Sequence, residues 1–236
     1  MSTLARRAAA EFTGTAFLVM AVVGSGVMAS RLSPDDVGLQ LLQNSLATGA
    51  ALVALIVALQ PVSASFNPVV TLAERVLGVL DNRTAAGLIA AQFAGGLAGS
   101  VLANLMFGLD AVTFSNHERT GTGLWLGEVV ATAGLLVIVF GTLRSGRTDR
   151  VAFAVGGYIT AAYWFTSSTS FANPAVTAAR TITDTFAGIA PASAPGFILA
   201  QLLGGAVGFV LVRALYPAPA ALAPASEYRL AKDQSR

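Results

Sequence analysis

The sequence predicts an all-α membrane protein of six transmembrane helices plus two re-entrant half-helices, arranged as an inverted three-plus-three repeat. Three observations lead there. Of 236 residues, 55% are hydrophobic and only 11% charged, whereas a soluble domain carries about 25% charged residues. Six stretches are long and apolar enough to cross a bilayer, which takes about 20 residues of helix. The second half of the chain also repeats residue patterns of the first. Composition argues against a cytosolic enzyme or a nucleic-acid binder: 14 Lys and Arg stand against 12 Asp and Glu, with no basic stripe to follow phosphates. Without Cys, and with a single histidine, His117, neither a metal site nor a cofactor is expected. No catalytic constellation is visible, so an enzyme is not expected either.

The first span covers residues 8–29. Arg6 and Arg7 precede it as they would a secretory signal, but the run exceeds the roughly 7–15 apolar residues of such a signal, and more spans follow. It is therefore read as retained. The next spans fall at 37–59, 85–107, 122–143, 151–168 and 196–216. Segments 67–80 and 173–186 are apolar enough to enter a bilayer and too short to cross it. Non-helical backbone survives at that depth only when buried in protein or lining a wet cavity, which suggests half-helices. The first repeat is placed at 1–110 and the second at 111–216, followed by a flexible tail at 217–236 with Pro217, Pro219 and Pro224. If both termini are cytoplasmic, only Arg31, Arg119 and Arg180 of the 14 basic residues lie outside, as the positive-inside rule requires. Trp125 and Trp164 sit near span ends, where they would anchor at the interface. His117, Glu118 and Arg119 read as a solvated loop between the halves in preference to a pH gate.

The repeat is specific. Glu11 and Thr15 in the first span match Glu128 and Thr132 in the fourth. SFNPVVT at 65–71 matches FANPAVT at 171–177. Ala91, Gln92, Gly95, Gly96 and Gly99 match Ala200, Gln201, Gly204, Gly205 and Gly208 at a constant offset of 109. Three spans per half is an odd number, so the second copy would be inserted upside down. Such inverted repeats with broken helices recur in permeation proteins.

Asn is a favoured helix N-cap, and Pro suits the first helical position because its missing N–H has no partner there anyway. Asn67-Pro68-Val69 and Asn173-Pro174-Ala175 are therefore expected to begin the half-helices. Inversion would bring two positive dipole ends to one point, with the Asn amide donors open to a passing solute and the centre hostile to cations and protons. An ordinary loop turn is the alternative for one copy and a poor one for two.

The two Asn-Pro boxes, the AEFTGT opening at 10–15 and the AQxxGG of the third and sixth spans resemble the aquaporin, or major intrinsic protein, family over residues 8–216. The resemblance implies one pore per subunit, a homotetramer and a passive channel. Where such proteins place Arg three residues after the second Asn, this chain has Val176. Ungapped counting puts the other constriction positions at Ala47, Ala161 and Ser170, so the implied constriction has no aromatic, no His and no Arg, and is wide. Arg180 is an outer-mouth candidate, more readily read as solvated at a helix end than as a partner for oxyanions. Glu11 and Glu128 are costly at membrane depth; the resemblance favours structural acceptors of loop hydrogen bonds over proton carriers. Gln92 and Gln201, among glycines, suggest close helix packing. These features imply a channel for small uncharged solutes: glycerol-like polyols, neutral metalloid hydroxides such as arsenite, and water. The lack of the constriction Arg resembles a bacterial subgroup linked to metalloid efflux, which implies an inner-membrane location. The alternative is an ion- or proton-coupled secondary transporter, which would need an ionisable group on the solute path.

Overall fold

The computed structural model describes residues 3–216, so the tail expected at 217–236 lies outside the described residues. Five long helices and a shorter sixth enclose two very short ones. They are α1 (Thr3–Leu32), α2 (Val37–Leu59), α3 (Pro68–Val76), α4 (Asn82–Met106), α5 (Thr122–Arg144), α6 (Val151–Phe165), α7 (Pro174–Ala179) and α8 (Ala194–Leu215). Single 3-10 turns at Thr148–Arg150 and Arg180–Ile182 precede α6 and follow α7. Side-chain caps define several starts. Asp36 accepts the Leu39 N–H at 2.8 Å ahead of α2, and Asp81 accepts the Thr84 N–H at 2.8 Å ahead of α4. That bond holds the exposed Asp81 carboxyl below its ordinary pKa, since it favours the ionised form.

α1, α2, α4, α5 and α8 are long and apolar enough to cross a membrane. α6 has 15 residues, about 22 Å of helix, and is shorter than the 151–168 span expected. It stops because Thr166 turns to extended backbone (φ −108°, ψ 137°), and residues 166–173 travel inward to meet the second Asn. The half-helices are likewise shorter than 67–80 and 173–186, since the residues after Val76 and Ile182 belong to loops.

Glycine decides how the long helices pack. A Cβ on Gly95 would lie 2.2 Å from the Phe12 carbonyl oxygen, and one on Gly99 would lie 2.4 Å from that of Ala16, so α4 rests directly on the backbone of α1. The matching glycines of α8 do the same on α5: Gly204 against the Val129 carbonyl at 2.5 Å and Gly208 against the Ala133 carbonyl at 2.6 Å. α2 and α6 meet in the same way, where a Cβ on Gly156 would lie 2.7 Å from the Gly49 carbonyl oxygen. α3 and α7 fill the space between the α1–α4 and α5–α8 pairs, with Val69 lodged against Gly205 and Ala175 against Gly96.

Candidate functional site: a cavity between two clasped asparagines

Each Asn caps its own short helix and ties down the other box. Asn67 Oδ1 accepts the Val69 N–H at 2.9 Å, while its Nδ2 donates to the Ala172 carbonyl at 2.7 Å. Asn173 Oδ1 accepts the N–H groups of Ala175 (3.0 Å) and Val176 (3.2 Å), while its Nδ2 donates to the Phe66 carbonyl at 2.7 Å. The two starts therefore meet and clasp. One N–H of each amide is committed to this clasp, so a solute has one donor from each Asn instead of the two expected.

The clasp is built on unfavourable backbone. Phe66, Ser170 and Ala172 have φ of 48°, 54° and 47°, a left-handed region costing a non-glycine residue about 1–3 kcal/mol. Two buried glutamates compensate. Glu11 accepts the N–H groups of Ser65 (2.9 Å) and Phe66 (2.7 Å), the Ser63 hydroxyl (2.5 Å) and Gln92 Nε2 (2.8 Å). Glu128 accepts the N–H groups of Phe171 (2.9 Å) and Ala172 (2.8 Å) and Gln201 Nε2 (2.6 Å). Gln92 and Gln201 also donate to Thr71 and Thr177, the last residues of the two boxes. None of these Glu and Gln side chains lines the cavity.

That cavity, about 250 Å³, passes both asparagines. Its middle walls are aliphatic, with Leu52, Ile56, Val139 and Val155 among them. One end is lined by Arg7, Gln60, Ser63, Ser65 and Glu74, the other by Thr48, Tyr163, Ser170, Val176 and Arg180. Pro68, Val69, Pro174 and Ala175 are buried behind the lining.

Three expectations need correction. Ala47 and Ala161 do not line the cavity; Ala47 is half-buried and Ala161 exposed. Thr48 and Tyr163 line it instead, with their hydroxyls 3.1 Å apart. One residue along α2 and two along α6 rotate the facing position by about 100° and 200°, a register that ungapped counting through the loops ahead of the two asparagines, 60–66 and 166–172, could not fix. The lumen accordingly has an aromatic. It also has an arginine: Arg180 is 3% exposed instead of solvated. Its guanidinium carbon lies 3.4 Å from the centroid of the Phe171 ring, and its Nε donates to the Ala187 carbonyl. No carboxylate pairs with it among the described residues.

Arg119 departs from expectation in the same way. Half-buried, it donates from Nε to the Gly188 carbonyl at 3.0 Å, and its guanidinium lies 5.2 Å from the Phe171 ring. Burial pushes its pKa down. His117 stays half-exposed, 3.8 Å from Asp184. Sequence reasoning missed Glu74 altogether. It stands seven residues after Asn67, as Arg180 stands seven after Asn173, and seven residues is close to two helical turns. That spacing returns both charges to the face of their asparagines. Glu74 Oε2 accepts the Ser65 hydroxyl at 3.0 Å.

A sequence model described as major intrinsic protein matches residues 1–152. The aquaglyceroporin AqpS of Rhizobium meliloti (strain 1021) is 50% identical over 211 residues, 89% of this chain and 90% of that one. The chain belongs to the major intrinsic protein family. The fold agrees: the X-ray structure of the aquaglyceroporin from Plasmodium falciparum superposes with a TM-score of 0.65 at 17% identity, covering 90% of this chain and 95% of that chain. As a member of this family the protein is a membrane channel for small neutral solutes and not an enzyme.

Proposed function

We propose that the channel passes hydroxylated solutes of glycerol size, neutral metalloid hydroxides such as arsenite, and water, and that Thr48, Tyr163, Ser170, Val176 and Arg180 form its selective constriction. The observation that carries this reading is the pairing of aliphatic walls with hydrogen-bonding groups at the centre and both ends of one cavity. A hydroxyl both donates and accepts, so a polyol can use the Asn amides, the Ser170 hydroxyl and the Arg180 guanidinium in turn. Val176 is short, and the constriction is wider for it. Two helix starts and an unpaired guanidinium oppose cations. The coupled-transporter alternative finds no support in the comparisons: Glu11 and Glu128 are spent on loop hydrogen bonds off the path, and Glu74, which does line one end, accepts the Ser65 hydroxyl. The 50% identity to a protein named an aquaglyceroporin points the same way.

On this reading the halves form an inverted repeat, and the protein is a homotetramer in the inner membrane of a bacterium, both ends of the chain cytoplasmic. The distribution of basic residues supports that orientation. Stopped-flow light scattering of proteoliposomes tests the transport reading. Glycerol flux should exceed that of empty vesicles, rise linearly with concentration and ignore an imposed proton gradient. Saturable uptake driven by that gradient would overturn it.

A further inference from the structure

Arg180 is a buried cation that no carboxylate pairs with among the described residues. Its Nε donates to the Ala187 carbonyl, and its two terminal amino groups have no hydrogen-bond partner among those residues. The Phe171 ring covers the guanidinium, but the same ring also carries Arg119, 5.2 Å from its centroid. Two like charges repel each other, and one aromatic face cannot offset both. The acids on this side are spent: Glu128 on Phe171, Ala172 and Gln201, and Asp184 on Asn116. Buried charges are ordinarily paired, because an unpaired one keeps its full desolvation cost.

At the same end of the cavity the Ser170 hydroxyl is buried and has no hydrogen-bond partner. Six buried side-chain atoms among the described residues lack one, and of their residues only Ser170 lines the cavity. Its place is fixed by a left-handed backbone (φ 54°) and by its N–H, which donates to Ser168 Oγ at 3.2 Å. The next residue is Phe171, so one segment anchors both the hydroxyl and the cover of the guanidinium. We infer that this end of the cavity binds a small monovalent oxyanion, of formate or nitrate size, through the terminal amino groups of Arg180 and the Ser170 hydroxyl.

The chemistry matches in three respects. A guanidinium fork presents parallel donors to two oxygens of one planar anion, and with Nε taken the terminal amino groups are the open side of the fork. The Thr48 and Tyr163 hydroxyls share one hydrogen bond of 3.1 Å; with Thr48 donating, the Tyr163 proton is left for the same anion. Arg119 does not line the cavity, and Val176 and Phe171 leave the surroundings apolar, so one negative charge is matched and a second is not. A neutral hydroxylated solute can use the same donors and leaves the cation uncompensated.

The test is NMR line broadening of isotope-labelled formate by the full chain in neutral detergent at neutral pH, with chloride holding the ionic strength constant. The wild type should broaden the formate signal, and unlabelled formate should reverse this while formamide, its neutral analogue, should not. Arg180→Gln should weaken binding by about a hundred-fold and Ser170→Ala by about ten-fold, on the scale of hydrogen bonds to a charged group. Arg83→Gln, an exposed change away from the cavity, should weaken nothing. Ser170→Ala removes a hydroxyl that bonds nothing else, so it decides the matter even where Arg180→Gln does not fold. Equal binding by the wild type and either cavity variant would overturn the inference. So would displacement by formamide, or an absence of binding in the chloride background. The inference goes beyond passage of neutral solutes and rests on the cavity described above. Formate should also slow glycerol flux in proteoliposomes. Binding that needs both residues and leaves glycerol flux unchanged would keep the anion site and overturn instead the reading of this end as the constriction.

Discussion

The two half-helices share their beginnings and differ at their ends. α3 and α7 both start from an Asn cap, both follow a left-handed residue held by a buried glutamate, and both are braced by a glutamine that also reaches a threonine. Seven residues on, α3 is still helical and presents Glu74, hydrogen-bonded to Ser65 in a half-open vestibule. At the same count α7 has given way to a 3-10 turn, and Arg180 is sealed beneath Phe171 among Tyr163, Ser170 and Val176. The scaffold is thus duplicated while the charge at its end is not. One end of the pore offers a half-buried acceptor, and the other offers a buried cation.

The shared scaffold supplies the largest expected effect. Glu11→Gln and Glu128→Gln each replace a carboxylate that gathers four or three donors with an amide having one acceptor oxygen. Each orphaned buried donor costs about 1–3 kcal/mol. Both variants should therefore lose most of their thermal stability in detergent, as read by size-exclusion chromatography after heating, and to a similar degree. Loss in only one half would break the equivalence of the two scaffolds.

A smaller effect belongs to the second end alone. Asp184 accepts the Asn116 backbone N–H at 3.0 Å and its side-chain amide at 3.2 Å, bonds that hold its carboxyl below the ordinary value. A depressed folded-state pKa means the latch is complete above the unfolded carboxylate value of about 3.9 and is lost as pH falls through the lower folded value. A spin label at Glu118→Cys should become more mobile as pH falls below about 4, and Asp184→Asn should flatten that response.

The fold was legible because membrane helices must be apolar and because two copies of each motif discipline one another. Glu11, Gln92 and Asn67 could each be read against Glu128, Gln201 and Asn173. The half-helix starts were legible for a local reason, the capping chemistry of Asn-Pro. The residues lining the Arg180 end were not, because counting along the chain from each Asn gives Ala47 and Ala161, and helix rotation after a bent loop is set by tertiary packing. Thr48 and Tyr163 emerged only with that packing. Arg180 was misjudged because a lone arginine at a helix end is ordinarily solvated. Its cover, Phe171 on one side and the Ala187 carbonyl on the other, comes from residues with no charge to advertise the contact. The seven-residue spacing from Asn173 was the available signal, and it held for Glu74 too.

The central claim is that selection for hydroxyl groups resides at the Arg180 end. It is tested by comparing glycerol with 1,2-propanediol, which has nearly the same width and lacks one hydroxyl, so that changes in pore diameter largely cancel. A site built to hydrogen-bond a hydroxyl rejects the analogue lacking it. In proteoliposomes with matched protein content, Arg180→Leu should lower the glycerol-to-propanediol permeability ratio by about ten-fold, the worth of one hydrogen bond to a charged group. Glu74→Gln should leave that ratio within about two-fold, since it lines the opposite end of the cavity and the amide oxygen can still accept the Ser65 hydroxyl. An unchanged ratio in Arg180→Leu, or an equal fall in both variants, would contradict the account.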